Sequence, residues 1–245
     1  MALRDLTARF LRRRMSNVVW HAAQRLAYPA DFTAEDVELC RTVQAMTMTS
    51  PERIVGLAEA VRHVTRNRID GAFVECGVWR GGSMMAAAIT LRRLGDASRD
   101  LFLFDTFAGM PMPSSRDSTG NGEAAAASMH DGWCAAGEAE VRENLAATGY
   151  PMGRVHLVKG KVEQTIPEHA PDRIALLRLD TDWYESTAHE LKHLYPRLSS
   201  GGVLIVDDYG HWQGAREAVE AYFATLSPRP MLARLDYTAR CCVKP

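Results

Sequence analysis

Four aspartates that follow two apolar runs have the types and spacing to do chemistry together. Asp180 and Asp182 follow the run IALLRL, and the adjacent pair Asp207 and Asp208 follows the run GVLIV. Carboxylates at the ends of neighbouring parallel strands would repel one another unless a cation lies between them. Oxygen ligands without histidine or cysteine suit a hard divalent cation such as Mg²⁺, Ca²⁺ or Mn²⁺. We therefore predict a metal site formed by Asp180, Asp207 and Asp208.

Asp182 lies two residues beyond Asp180, past the end of the predicted strand. It can face the same cavity without joining the metal ligands. A free carboxylate beside a hydroxyl whose pKa a metal has lowered is suited to general base catalysis. The alternative is that these aspartates only cap the helices that follow, since Asp is favoured at helix N-termini. Two acidic pairs on consecutive strands favour the metal site.

A glycine-rich turn in the stretch FVECGVWRGGS follows the first predicted strand. Gly77 would allow a tight turn and the close approach of a ligand, and Ser83 could cap the next helix or donate to a ligand carboxylate. The glycine spacing matches neither the dinucleotide-binding turn nor the phosphate loop. Asp105 ends the second predicted strand, where a carboxylate can bind the two hydroxyls of a ribose. This combination indicates S-adenosylmethionine, although a plain strand–helix turn and a helix cap would explain the same residues.

The composition excludes several classes of partner. The 245 residues are 47% hydrophobic and 24% charged, as in soluble globular proteins, and the formal net charge is −1. Such a charge creates no field for nucleic acid or an anionic membrane, and no apolar run reaches the ~20 residues of a membrane span. The five cysteines are odd in number and have no CxxC spacing, which favours reduced thiols and a cytoplasmic protein.

Short β-rich runs alternate with helical stretches from Phe73 onward, which predicts an α/β fold with a doubly wound parallel sheet. The predicted strands are AFVECGV, LFLFDTF, VHLVKG, IALLRLD and GVLIVDD. The predicted helices are SMMAAAITLRRLG, TAHELKHLYPRL and AREAVEAYFATL. The C-terminal stretch MLARLDYTARCCVKP predicts two short strands that would form an antiparallel edge.

The segment before the first strand, residues 1–70, is predicted to be a separate, mostly helical region. Its start is basic and carries apolar residues at helical spacing, namely Leu3, Leu6, Phe10 and Leu11. Such an amphipathic helix would pack on the body of the protein or on a partner subunit, or else bind a membrane surface. This region is therefore expected to cover the cofactor or to support a homo-oligomer.

Residues 71–245 are predicted to form the catalytic domain, which carries one long insertion. Residues 108–136 follow the second strand and are rich in Gly, Pro, Ser and Ala. A loop of this length is usually a binding element, and it leaves from the sheet edge on which α/β folds bind ligands. We therefore predict that the insertion is a lid.

From about Thr47 to Phe223, the chain resembles the macrocin O-methyltransferase family, whose members methylate sugars in antibiotic pathways with S-adenosylmethionine and Mg²⁺. The matching stretches are TMTSPER, VECGVWRGGS, FDTFAGMP, LRLDTDWYEST and GGVLIVDDYGHWQGAREAV. The resemblance implies a Rossmann-like class I methyltransferase fold with a mostly parallel seven-stranded sheet. It also implies methyl transfer to a sugar hydroxyl of a small-molecule glycoside acceptor.

The resemblance also assigns roles to individual residues. Asp180, Asp207 and Asp208 match the metal ligands of the family, and Asp182 matches its general base. The positions that hold the methionine and ribose parts of the cofactor match Glu75, Gly77, Ser83 and Asp105, and we add Thr106 beside Asp105. The more distant catechol O-methyltransferase family implies further cofactor contacts at Met48, Thr49, Trp79, Gly160, Lys161 and Val162.

The comparison with catechol enzymes bears on the acceptor. That family uses a lysine three residues after the first metal ligand, where this chain has Trp183. A lysine can serve a phenol, whose pKa is about 10. A sugar hydroxyl has a pKa closer to that of water, about 15.7, and needs a metal to bring it within reach of a carboxylate. The exchange favours a sugar, and a phenolic O-methyltransferase is the alternative. A cofactor-binding protein without activity is a further alternative, which the four intact acids disfavour.

Two residues near the acids are candidates for contact with the acceptor. His211 follows the Asp207–Asp208 pair, and Tyr184 follows Trp183, where an aromatic ring could stack on a sugar. Both could instead serve packing.

Overall fold

The computed structural model describes residues 28–245. The predicted amphipathic helix around Leu3 to Leu11 lies outside these residues, and its role stays a prediction. None of the helices in the described part is long and apolar enough to cross a membrane.

Seven strands of the described chain form one sheet in the order β3-β2-β1-β4-β5-β7-β6. The strands are β1 (Ala72–Cys76), β2 (Leu101–Asp105), β3 (Val155–Lys159), β4 (Ile174–Leu179), β5 (Leu198–Val206), β6 (Ala233–Arg234) and β7 (Arg240–Val243). The first five are parallel, whereas β7 pairs antiparallel with β5 and β6 antiparallel with β7. The predicted α/β fold with an antiparallel edge is confirmed.

Two helices of the described chain precede the first strand, and the other helices lie between the strands along the chain. They are α1 (Ala34–Val43), α2 (Pro51–Arg66), α3 (Gly82–Arg93), α4 (Glu138–Ala147), α5 (Val162–Thr165), α6 (Tyr184–Leu194) and α7 (Gln213–Phe223). The predicted helices after the first, fourth and fifth strands are confirmed as α3, α6 and α7. The structure adds α4 and the single turn of α5, which precede and follow β3.

The described chain is divided between Glu38 and Leu39 into two compact units, and the larger unit is Leu39–Pro245. The predicted division after residue 70 stays a prediction. In the smaller unit, Thr33 and Asp36 exchange hydrogen bonds that cap the start of α1. In the larger unit, α2 begins behind the side-chain cap of Ser50 and buries an apolar face. Because this face is part of the larger unit's core, α2 belongs with the sheet.

The core of the larger unit explains where the site lies. Every residue of β1 and β4 is buried, since helices cover both faces of these central strands. Polar side chains can therefore leave the core only where these strands end. The carboxyl ends of β1, β2, β4 and β5 form the edge from which the predicted site residues project.

Candidate active site

A cavity of about 530 Å³ opens at the carboxyl ends of β1, β2 and β4. The predicted site residues in its wall are Met48, Gly77, Trp79, Asp105, Thr106, Gly160, Lys161, Val162, Asp180 and Asp182. The predicted residues outside this wall are Thr49, Glu75, Ser83, Tyr184, Asp207, Asp208 and His211. The structure therefore brings the glycine turn, the ribose-binding candidate and the general-base candidate into one chamber.

The glycine turn after β1 is held by Asp105 from the end of β2. Asp105 Oδ2 accepts the backbone N–H groups of Val78 at 2.7 Å and Trp79 at 3.1 Å. Its Oδ1 accepts the N–H of Phe107 at 2.7 Å. An ionised carboxylate has about four acceptor sites. Asp105 therefore orders the turn and keeps acceptor capacity for a ligand hydroxyl.

Gly77 lets the ends of β1 and β4 approach each other. It has a φ of +81°, and a Cβ atom at this position would lie 1.9 Å from the backbone oxygen of Asp180. Gly81, with a φ of +86°, takes the N-cap position of α3, so Ser83 lies inside the first turn and is buried. Gly81 rather than Ser83 therefore occupies the N-cap position, and it makes no side-chain cap hydrogen bond.

Gly77→Ala should lower both the stability and the affinity for S-adenosylhomocysteine. An L residue in this backbone conformation costs about 1–2 kcal/mol, and the clash with Asp180 adds to that cost. Thermal unfolding and calorimetric titration would measure the two effects. Gly95→Ala is the matched control, because Gly95 has a φ of +75° and open space around its Cβ position. Equal losses in both variants would contradict the close approach as the cause.

Asp180, Asp207 and Asp208 converge as the neighbouring positions of β4 and β5 predict. Each offers one carboxylate oxygen, and these oxygens lie within 4.8 Å of one another. Oδ2 of Asp208 is buried and has no hydrogen-bond partner among the residues that the structure describes. The buried, unpaired oxygen of Asp208 and the two neighbouring carboxylates form a set of oxygen ligands that fits a hard cation.

Arginines already lie among these acids, which corrects the expectation that a metal alone offsets their repulsion. Arg178, inside β4 and almost fully buried, forms ion pairs with Glu75 at 2.7 Å, Asp180 at 2.7 Å and Asp207 at 2.6 Å. Arg53, in the first turn of α2, also pairs with Asp207. The signal for Arg178 was a charge inside the apolar run IALLRL. Repulsion among the acids is therefore no evidence for a metal by itself.

Arg53 ties the acidic cluster to the C-terminal strands. Its Nε lies 2.8 Å from Oδ2 of Asp236, which also accepts the hydroxyl of Ser50 at 2.7 Å. Thr238 donates its hydroxyl to the backbone oxygen of Asp207 at 2.6 Å. Asp236 and Thr238, in the connection between β6 and β7, were not predicted to take part in the site. Thr238 holds the backbone of Asp207 directly, and Asp236 acts on its side chain through Arg53.

Glu75 is engaged by Arg178 rather than by the cavity. Burial raises the pKa of Glu75 to about 8, although the charge of Arg178 opposes this shift. Its second oxygen, Oε2, is buried without a hydrogen-bond partner in the described chain. A contact between Glu75 and the cofactor stays a prediction.

Asp182 projects into the cavity from a strained turn. Its φ is +64°, and the N–H of Trp183 donates to the backbone oxygen of Thr181 at 2.7 Å. This hydrogen bond between residues two apart defines a γ-turn with a positive central φ, which is rare and strained. Burial raises the pKa of Asp182 to about 7, and the neighbouring charge of Asp180 adds to this shift.

The insertion, residues 108–136, forms one wall of the cavity and is fixed to the starts of α6 and α7. Asp117 is buried and accepts the N–H of Tyr184 at 2.8 Å, which caps α6 from a distant part of the chain. Trp133 packs against Trp183 and Trp212, with ring centroids 6.2 and 6.4 Å apart. Whether the insertion moves as a lid stays a prediction.

The acceptor candidates make packing contacts. The ring of His211 lies 4.7 Å from that of Trp212, and the guanidinium of Arg116 lies 3.7 Å from the ring centroid of Tyr184. Met48 is exposed at the cavity wall, and Thr49 shares a hydrogen bond with Thr47. Their predicted ligand contacts stay predictions.

Comparison with known proteins identifies the family. The profile of the Macrocin-O-methyltransferase (TylF) family matches residues 6–242. The chain belongs to this family. The predicted resemblance is thereby confirmed, and this family member is an S-adenosylmethionine-dependent O-methyltransferase.

Individual relatives agree with the family assignment. The enzyme is 32% identical to the 8-demethyl-8-(2,3-dimethoxy-alpha-L-rhamnosyl)-tetracenomycin-C 4'-O-methyltransferase of Streptomyces olivaceus, over 96% of this chain and 91% of the relative. It is 31% identical to the mycinamicin III 3''-O-methyltransferase of Micromonospora griseorubida, over 89% of this chain and 88% of that protein. The solved structure of the O-methyltransferase NovP superposes with a TM-score of 0.73 at 31% identity, covering 81% of this chain and 82% of NovP.

Proposed function

We propose that this methyltransferase methylates a sugar hydroxyl of a glycosylated natural product, with Mg²⁺ or another hard divalent cation held by Asp180, Asp207 and Asp208. Asp182 would act as the general base. The observation that carries the proposal is the shared cavity, because Asp182 and Asp180 line the same chamber as the glycine turn and Asp105.

The sugar acceptor is supported by the relatives. One is named for the 4'-position of a rhamnosyl-tetracenomycin and another for the 3''-position of mycinamicin III. Asp182, a carboxylate in the same cavity wall as Asp180, agrees with such an acceptor, because this chain has Trp183 where the catechol enzymes use a lysine. The glycoside class therefore comes from the relatives, and the choice of base comes from this chain.

The cofactor fits the chamber that the glycine turn and Asp105 form. S-adenosylmethionine would supply an electrophilic methyl group there. The role of the chain is to bind and orient: Asp105 would offer its remaining acceptor capacity to the ribose, and Gly160 to Val162 line the same wall. The insertion contributes Met110 and Pro111 to the wall, which limits the access of water.

The metal ligands would be oriented by the arginines. Arg178 and Arg53 hold both oxygens of Asp207, and Arg178 holds one oxygen of Asp180. Asp208 is left with a buried free oxygen. When bound, a divalent cation would lower the pKa of the acceptor hydroxyl. Because the carboxylate side chains are already ordered, metal binding would cost less conformational entropy.

Asp182 would accept the proton that the acceptor hydroxyl loses. Asp182 lines the same cavity as Asp180, so an acceptor bound near that carboxylate would lie within its reach. Much of the rate would come from holding the acceptor and the methyl donor in line, which requires fixed walls rather than a further reactive group.

Metal dependence is the first test of this proposal. Excess chelator should abolish methyl transfer, and added Mg²⁺ should restore it. Asp208→Ala should raise the Mg²⁺ concentration for half-maximal activity by at least about 10-fold, whereas Asp70→Ala, on the exposed surface, should not. The acceptors to compare are mycinamicin III, the rhamnosyl-tetracenomycin substrate of the relative, and catechol.

The outcomes of this assay separate the alternatives. Full activity in excess chelator would overturn the metal site. Methylation of catechol without methylation of either glycoside would favour the phenolic alternative. Binding of S-adenosylhomocysteine with no transfer to any glycoside or phenol would support a protein that retains the cofactor site alone.

A further inference from the structure

The turn that carries Asp182 is held from inside the protein by a buried carboxyl group. The hydroxyl of Thr181 donates to Oε1 of Glu190 at 2.9 Å. Glu190 lies on α6, is fully buried, and does not belong to the cavity wall. The contact therefore joins the first residue of the γ-turn to the core side of the helix that follows it.

Glu190 is an unusual residue for this position. Oε2 has no hydrogen-bond partner in the described part of the chain, and burial raises the pKa of Glu190 well above its ordinary range. A buried carboxyl group with one oxygen unpaired destabilises a fold, and an apolar residue of similar size would avoid that cost. Unlike an apolar residue, Glu190 can accept the hydrogen bond from Thr181.

The outer side of the same turn is held by the insertion. The indole N–H of Trp183 donates to the backbone oxygen of Pro111 at 2.9 Å, and Asp117 accepts the N–H of Tyr184. Trp183 and Tyr184 are thus fixed by residues 108–136, whereas Thr181 is fixed by Glu190. A strained turn persists only where contacts with the surrounding structure hold its conformation. Here such contacts hold the turn on both sides of Asp182.

We propose that Glu190 is a positioning residue that acts through Thr181 to hold the γ-turn and thereby aim Asp182 at the acceptor. This inference rests on the proposed function, in which Asp182 is the general base. Because a γ-turn with positive φ is not the preferred conformation of an isolated chain, loss of the Thr181–Glu190 contact would release Asp182 to other orientations. A displacement of about 1 Å is enough to lower a catalytic rate by about 10²-fold.

The experiment compares variants that remove or keep this one hydrogen bond. Thr181→Val and Glu190→Met should each lower kcat by about 10–100-fold, without changing the KM for S-adenosylmethionine. Thr181→Ser and Glu190→Gln should retain activity, since they keep the donor and the acceptor. The double variant Thr181→Val/Glu190→Met should be no slower than either single variant. Activity is measured with the three acceptors named above.

Hydrogen exchange gives a readout that needs no acceptor. The backbone N–H of Trp183 closes the γ-turn, so it should exchange faster in Thr181→Val and Glu190→Met than in the wild type. Thr90→Val is the matched control, because Thr90 is also buried and its hydroxyl donates within α3 to Ala86. It should leave both kcat and the exchange of Trp183 unchanged.

The results distinguish failure of this inference from failure of the proposed function. If Asp182→Asn kept wild-type turnover, Asp182 would not be the general base. The hydrogen exchange of the Trp183 N–H would still show whether Glu190 holds the turn. Unchanged exchange and unchanged kcat in Thr181→Val would overturn the positioning role. So would a further loss of the residual turnover when Thr181→Val is added to the slowed Asp182→Asn enzyme, because Thr181 would then act independently of Asp182.

Discussion

Asp182→Asn is expected to lower kcat by about 10²–10⁴-fold, which is the usual contribution of a general base. The substitution is conservative in shape, because asparagine has nearly the same size as aspartate and also tolerates a positive φ. The γ-turn should therefore persist, and only the capacity to take up a proton is lost. The affinity for S-adenosylhomocysteine in the presence of Mg²⁺ should stay at the wild-type value.

Two measurements check this expectation, namely turnover of the glycoside acceptors and calorimetric titration with S-adenosylhomocysteine. Asp172→Asn is the matched control, because Asp172 is exposed and outside the cavity wall, and it should affect neither. Loss of S-adenosylhomocysteine binding in Asp182→Asn would show that the residue orders the cofactor site. Retained turnover would show that another group or the solvent takes the proton.

The parts of the structure that could be predicted from the sequence follow from local patterns. Alternating apolar runs and helical stretches indicate the parallel sheet, and the acids that follow the second, fourth and fifth runs mark the edge of that sheet. Since β4 and β5 are neighbours, the convergence of Asp180 with Asp207 and Asp208 could be predicted from the order of the strands in the sheet alone. By contrast, α4 has a weak apolar face, with Val141 and Leu145 as its buried residues, and it was not predicted.

The contacts that organise the site join residues that are far apart in the chain. Arg53 pairs with Asp207 across 154 positions, and Arg178 pairs with Glu75 across 103 positions. No periodicity in the sequence indicates such pairs, because they depend on how α2 packs and on the register of β1 against β4. Glu190 was also hidden, since a glutamate in the stretch TAHELKHL is typical of an exposed helix face.

Arg178→Met is expected to lower the free energy of unfolding by about 3–5 kcal/mol, as does the removal of one partner from a buried ion pair. Methionine fills most of the space of the arginine stem but cannot offset the charges of Glu75, Asp180 and Asp207, which all pair with the guanidinium. The carboxylates would be left close together in a buried setting. Denaturant unfolding of the metal-free protein measures this loss.

Arg173→Met provides the comparison, because Arg173 also pairs with an aspartate, Asp70, but on the exposed surface. An exposed pair contributes about 0–1 kcal/mol, so this variant should unfold almost as the wild type does. Addition of Mg²⁺ should stabilise Arg178→Met more than the wild type, since a cation bound by Asp180, Asp207 and Asp208 would replace part of the missing charge. Equal stabilisation of both proteins would mean that the arginine and the cation do not serve the same carboxylates. The acidic cluster would then depend on Arg178 and Arg53 for its stability, and a metal would have to be sought at another site.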